Sequence, residues 1–280
     1  MTEPASGKDL RSFWLFATAS LVTIAAGAGA IFLSGNGAMQ PVANLAAWLA
    51  GALLATVLAK FGKSPQMLTA IIALTFFGLS VTLFNTGVEG VHRWISLGPV
   101  NANLAALLLP PCIVALARFR LSSGAKFALI TALLLLLLAQ PDASQATGLA
   151  LASCILARDW NKRWRLLSSA AFIALAASVW LRVDPLEPVA TVEGIVGLAV
   201  TVSPLLAVLI LAALSVTIAS IPMLVKHSGE RTAGYALFAY AAAVSLSAGI
   251  GNFPVPLAGF GISFPIGWWL AAGLLIGKRA

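Results

Sequence analysis

The chain has 280 residues, of which 60% are hydrophobic and 9% charged, and its net charge is +8. A water-soluble domain carries about a quarter charged residues, and a mean hydropathy of +0.97 excludes a fold that faces water all round. The bilayer is the solvent for most of this chain, so the excess of basic residues reads as a topology signal and not as a nucleic-acid surface.

Crossing the hydrocarbon core takes about 20 mainly apolar residues. In chain order the candidate spans are residues 12–33, 41–59, 66–84, 100–117, 126–139, 143–157, 166–181, 194–219, 233–250 and 262–276. The fold class expected is all-α: a polytopic transmembrane helix bundle of about ten spans, with residues 1–280 forming one membrane domain and no soluble one. Merging across the weak breaks after Ala139 and Ile250 would leave eight spans. With both termini cytoplasmic, the ten-span arrangement puts every basic residue on the cytoplasmic side except Arg93 and Arg182, as the positive-inside rule asks. The first span follows Lys8 and Arg11 but is longer than a signal-peptide core, and it reads as uncleaved. Trp14, Trp160, Trp164 and Trp180 fall near span ends as interfacial anchors do, and Cys112 and Cys154 read as small buried hydrophobes.

Charges at the mouth of a membrane bundle are costly and mark candidate sites. The outer side holds Glu89, Asp142, Asp184, Glu187 and Glu193 but only Arg93 and Arg182 to pair with them. Arg93 lies in "GVEGVHRWISLG", residues 87–98, where its planar fork suits phosphate or carboxylate; the simpler alternative is an anchor with Trp94 and an ion pair to Glu89. Asp142 follows Pro141 and precedes Gln145 by three residues. That spacing predicts a helix N-cap with a capping box, or a helix start that helps to hold an anion. Pro110 and Pro111 predict a kink or break in their span. The proline- and glycine-rich residues 252–267 predict an irregular loop packed inside the bundle. His92 reads as an ordinary loop residue, and His227 falls on the opposite face. No cluster has metal-ligand spacing and no cofactor is called for, although outer acids with substrate phosphates leave room for a divalent cation.

Three of these stretches, in this order, resemble the SEDS family of bacterial membrane proteins, which includes FtsW, RodA and SpoVE. Gly90, Arg93, Trp94, Ile95, Leu97, Gly98 and Pro99 match the family's "RWI-x-LG" loop. Gln140, Pro141 and Asp142 match the start of "QPDLGT", and Phe253 to Pro256 match the best part of the family's C-terminal proline/glycine loop. The resemblance implies a ten-span protein of the bacterial inner membrane, active in cell shape, cell division or cell-wall synthesis. It implies an outward-facing cavity for lipid II or another polyprenyl-linked substrate, and a class B penicillin-binding transpeptidase as partner. Arg93, Trp94, Asp142, Arg182 and Glu89 would then bind substrate.

The departures bear on activity. Where the family carries an acid and then a lysine on the helix after the first loop, this chain has Ala106 and Leu109. The family's long loop before the eighth span, with its catalytic aspartate, is reduced here to residues 182–193. Val192 stands at the aspartate's position, beside Glu193. Glu193 and Asp184 are the catalytic candidates that remain. Four functions stay open: a SEDS-like protein that binds precursor without polymerising it, a minimal lipid II glycosyltransferase, a small transporter or flippase of an amphiphilic lipid, and a membrane scaffold with no ligand.

Overall fold

The computed structural model describes residues 7–61, 64–98, 100–182, 184–225 and 230–277. Lys63, Pro99, Lys226, His227, Lys278, Arg279 and both chain termini, on which part of the topology reading rests, lie outside them.

The apolar runs are helical: α1 Gly7–Leu33, α2 Met39–Phe61, α3 Pro65–Thr82, α4 Leu104–Arg118, α5 Ser123–Ala139 and α6 Ala143–Leu156, followed by α7 Lys162–Trp180, α8 Ile195–Val202, α9 Pro204–Ser220, α10 Arg231–Ile250 and α11 Ser263–Ile276. Among the described residues five stretches are long and apolar enough to cross a bilayer, at residues 11–33, 39–60, 65–82, 204–225 and 231–250. Large apolar side chains such as Leu53, Phe77 and Leu205 stand bare on the outside of the bundle, where only lipid tails would solvate them. The chain is a multi-pass α-helical membrane protein.

Lipid tails are as apolar as leucine, so close packing rather than burial holds such helices together. Small residues supply it. On α6, Gly148 lets α10 lie close enough that a Cβ there would come within 2.7 Å of both the Tyr240 ring and the Val244 side chain. The α4 helix is buried along almost its whole length and packs against α3 and α11.

Helix α4 runs unbroken through Pro110 and Pro111, where the sequence predicts a kink or break. Two prolines in succession leave the carbonyls four residues back, those of Ala106 and Leu107, without their helical donors. Gly267 of α11 covers both: a Cβ there would lie 2.4 Å from the Ala106 oxygen and 2.8 Å from that of Leu107. A neighbouring backbone thus lies directly on the gap and keeps it from lipid.

Three boundaries differ from the sequence reading. Residues 100–103 are not helical but form β2 (Val100–Asn103), paired antiparallel with β1 (Trp94–Leu97). Gly98, at φ 63°, supplies the positive φ that a tight hairpin turn needs. The apolar run 194–219 is two helices, because Ser203 is extended (φ −166°, ψ 125°) and Pro204 begins α9. The irregular C-terminal segment ends sooner than residue 267, since α11 starts at Ser263 and takes in Pro265 and Gly267. Before that point the segment is irregular and buried, as expected, with Phe253, Val255, Leu257 and Ala258 in the core.

Candidate functional site

At the end of the bundle where α4, α6 and α8 begin, four segments far apart in sequence meet on Arg93. Its guanidinium is 3% exposed. It donates to Asp184 Oδ2 at 2.6 Å and to the Pro141 carbonyl. Its carbon lies 5.8 Å from the centre of the Trp94 ring and 5.5 Å from that of Phe253, both within cation–π range. The residues 87–98 loop, the Gln140–Asp142 corner, the residues 184–194 loop and the buried C-terminal segment thus share one cation.

Local chemistry places each partner. The β1–β2 hairpin carries Arg93 just ahead of its first strand, and the Arg93 carbonyl accepts from Leu104 N–H at 3.3 Å. Asn85 pins the same strand by donating to the Trp94 carbonyl at 2.7 Å. Asn103 caps α4, its Oδ1 accepting from Ala106 N–H at 2.9 Å, while its Nδ2 donates to Asp142 Oδ2 at 3.3 Å. Asp142 is the N-cap of α6 as expected, with Oδ1 accepting from Gln145 N–H at 3.2 Å. The reciprocal half of a capping box is not made. The Gln145 side chain turns instead to accept the Tyr240 hydroxyl, inside the bundle.

Asp142 and Arg93 are buried neighbours but not tightly paired: Nε stands 3.9 Å from Asp142 Oδ2 and has no hydrogen-bond partner among the described residues. Asp184 is the close partner, with 22% of its side chain exposed. Its other oxygen accepts from Leu186 N–H at 3.3 Å. The pairing of Arg93 with Glu89, the simpler alternative, is not made. Glu89 sits exposed in a turn at φ 50°.

Glu193 is half-buried, and its Oε2 accepts from Val189 N–H at 2.9 Å. Burial pushes its carboxyl above the ordinary value, against the pull of the Val189 N–H and the Arg93 charge, while the Asp184 charge adds to the push. A carboxyl raised in this way is a stronger proton acceptor than an ordinary carboxylate. Arg182 and Glu187 are exposed. The structure therefore brings Arg93, Trp94, Asp142, Asp184 and Glu193 together and leaves Arg182, Glu187 and Glu89 at the rim.

Sequence reasoning missed the residue that joins the two loops. Asn44, fully buried on α2, donates to the Gly259 carbonyl at 3.0 Å and accepts from Gly261 N–H at 2.9 Å. Phe260 N–H in turn donates to the Thr191 carbonyl at 2.7 Å. Gly259 allows this contact, since a Cβ there would fall 2.4 Å from the Val192 oxygen. A lone amide in "PVANLAAWLA" was the available signal, because an amide in lipid is tolerated only where it is bonded.

No protein-family model matches the chain, and no curated protein matches it as a relative. Solved structures do. RodA, the rod shape determining protein of Thermus thermophilus, shares 18% sequence identity over 94% of this chain and 95% of its own, with a TM-score of 0.66. A point mutant of that RodA gives the same identity and coverage with a TM-score of 0.65. A chain of a peptidoglycan synthase complex that coordinates polymerization and crosslinking shares 17% identity over 94% of this chain and 96% of its own, with a TM-score of 0.64. The likeness spans nearly the whole of each chain, so the fold is that of RodA, a SEDS protein.

Proposed function

We propose that this protein works in bacterial cell-wall synthesis from the inner membrane, where its outward-facing mouth binds a lipid-linked peptidoglycan precursor without polymerising it. The supporting observation is the convergence of four distant loops on buried Arg93, in a fold shared with RodA and with a peptidoglycan synthase subunit. In this reading the helices make ten spans, α8 and α9 together forming one, with both termini cytoplasmic and the Arg93 end outward. Arg93 lies under the precursor's pyrophosphate. Trp94 and Asp142 wall the site, while Arg182 and Glu89 reach the headgroup from the rim. A class B penicillin-binding transpeptidase beside the bundle is the fitting partner, as crosslinking accompanies polymerization in the structurally similar complex.

Asp184 is occupied as the close partner of Arg93, which argues against its service as a catalytic base. One observation favours a second reading, a minimal lipid II glycosyltransferase. Glu193 is an outer acid whose carboxyl burial raises. In that reaction Glu193 takes the proton from the acceptor sugar hydroxyl as its oxygen bonds to the donor's anomeric carbon. The bond from that carbon to the polyprenyl pyrophosphate breaks, and the pyrophosphate departs with the electron pair, screened by Arg93 or by a divalent cation.

Purified protein given labelled lipid II, alone and with a class B transpeptidase, separates the two. Saturable binding without glycan strands, lost in Arg93→Ala, supports the first reading. Strands that vanish in Glu193→Gln and persist in Asp184→Asn establish the second. Neither binding nor strands would reduce the likeness to one of fold.

A further inference from the structure

The opposite end of the bundle holds a cavity that the proposed function does not use. Its volume is about 300 Å³, and it lies between the end of α4, the starts of α5 and α10, and the turn after α6. Its polar walls are Lys126, Asp159, Trp160, Glu230, Thr232 and Ser123.

The charges in this cavity are unevenly committed. Arg118 Nε meets Glu230 Oε2 at 3.1 Å, and both side chains are buried. That pair is internally balanced. Asp159 accepts from the Thr232 hydroxyl at 3.4 Å, and its other oxygen lies 3.8 Å from Arg158 Nε, a loose and exposed contact. Lys126 is half-buried and feels the Asp159 charge, yet closes no ion pair with it among the described residues. Among the described residues a cation and an anion thus line one small cavity without closing a direct ion pair, and a ligand carrying both signs would satisfy the two together.

The surroundings point to a lipid source. The segment entering α7 carries Arg158, Lys162, Arg163 and Arg165 within eight residues, a density that draws phospholipid headgroups at a membrane surface. Trp164 is exposed beside Phe127, with ring centres 5.9 Å apart, and Leu166 and Leu167 are bare on the same helix. Tryptophans in such settings mark the level of the headgroups. A cavity at the small end of the roughly 300–1,000 Å³ range of ligand sites admits a headgroup and leaves acyl chains outside.

We propose that this cavity binds the zwitterionic phosphoethanolamine headgroup of a membrane phospholipid, with its phosphate on Lys126 and its ammonium on Asp159. Thr232 positions the Asp159 carboxylate, and Trp160 lines one side. The primary ammonium matters because it donates hydrogen bonds to a carboxylate, which a trimethylated choline cannot do. A phosphatidylglycerol offers Asp159 no cation at all.

Native mass spectrometry of the full-length protein, released from nanodiscs holding equal amounts of phosphatidylethanolamine, phosphatidylcholine and phosphatidylglycerol, tests the assignment. Phosphatidylethanolamine should be retained in preference to the other two. Lys126→Gln and Asp159→Asn should each weaken that retention about tenfold, as expected for loss of one charge-assisted hydrogen bond. Thr232→Val should give a smaller loss, and because it removes neither charge it keeps the test decisive if a charge variant fails to fold. Retention that is unchanged in the variants, or equal for phosphatidylglycerol, overturns the proposal. So does binding of soluble glycerophosphoethanolamine as strong as that of the intact lipid.

Discussion

Each end of this bundle buries an arginine against a carboxylate, and the two pairs serve opposite ends. Arg118 meets Glu230 at 3.1 Å and also donates to the carbonyls of Leu275 and Gly277, at 3.5 and 3.1 Å. Those carbonyls lie in the last turn of α11 and at its C-cap, where no helical donors are left for them. Every group there lies at a helix end, so the cation closes the structure. Arg93 instead binds loops, keeps its Nε unbonded among the described residues, and pairs with an aspartate that is partly open to water. A buried charge spent on helix ends has little left to offer a ligand, whereas one held between loops and aromatic faces still does.

The largest test breaks the closed pair. Arg118→Ala removes the guanidinium opposite buried Glu230, and such half-removals cost about 3–5 kcal/mol. Its melting temperature in detergent should fall sharply. Arg118→Met combined with Glu230→Leu should recover much of the loss, since buried ion pairs tolerate joint replacement by apolar residues better than they tolerate loss of one partner. A single variant that melts with the parent would mean the pair is not what closes this end.

Next comes the amide behind the open pair. Asn44→Ala orphans the Gly259 carbonyl and the Gly261 N–H, at about 1–3 kcal/mol for each buried group. The damage should be local, and hydrogen exchange should quicken at Phe260, whose N–H reaches across to Thr191. Precursor binding should weaken with it, because the residues 184–194 loop loses its support. Exchange that rises uniformly through the bundle would instead make Asn44 an ordinary core residue.

Arg93→Lys is gentler and sharpens the comparison. Both hydrogen bonds leave one nitrogen, Nη2, so the ammonium keeps the charge and can still donate there, but it loses the planar guanidinium between the Trp94 and Phe253 rings, a loss of about 1 kcal/mol. Stability should fall less than in Arg118→Ala, and lipid II binding should fall more. The reverse order would make the Arg93 end the structural one.

How much of this was legible depended on what the sequence had to signal with. Long apolar runs report themselves, and all ten candidate spans contain helix. The break at Ser203–Pro204 was written in a helix-start pair, yet apolar residues on both sides masked it. The hairpin was hidden because Val100–Asn103 runs straight on into apolar α4, so its residues counted as span. At the site, Arg93, Asp142 and Glu193 stood out as charges at span mouths, and Asp142 announced its cap. What no local pattern could state was the pairing: Arg93 meets Asp184 across 91 residues and Pro141 across 48. Tyr240 and Asn44 were obscured for another reason. Each is a polar group among apolar neighbours on its helix, and only its distant partner gives it a role.

The smallest expected effect concerns Glu193, and its sign is informative. Burial raises this carboxyl in the folded protein, so the native state holds a proton more tightly than the unfolded chain does. Stability then falls as pH rises from the ordinary carboxylate value through the raised one, because the charged form is the one that burial penalises. Glu193→Gln removes that penalty. At neutral pH the variant should melt slightly higher than the parent, and acidification should close the gap as the parent carboxyl protonates. Solvent around a half-exposed group keeps the difference small. A variant that melts lower at neutral pH, with a gap that narrows on acidification, would show that the Val189 N–H and the Arg93 charge outweigh burial. Glu193 would then be held ionised as one more fixed charge of the Arg93 cluster, and the glycosyltransferase reading would lose the proton acceptor on which it depends.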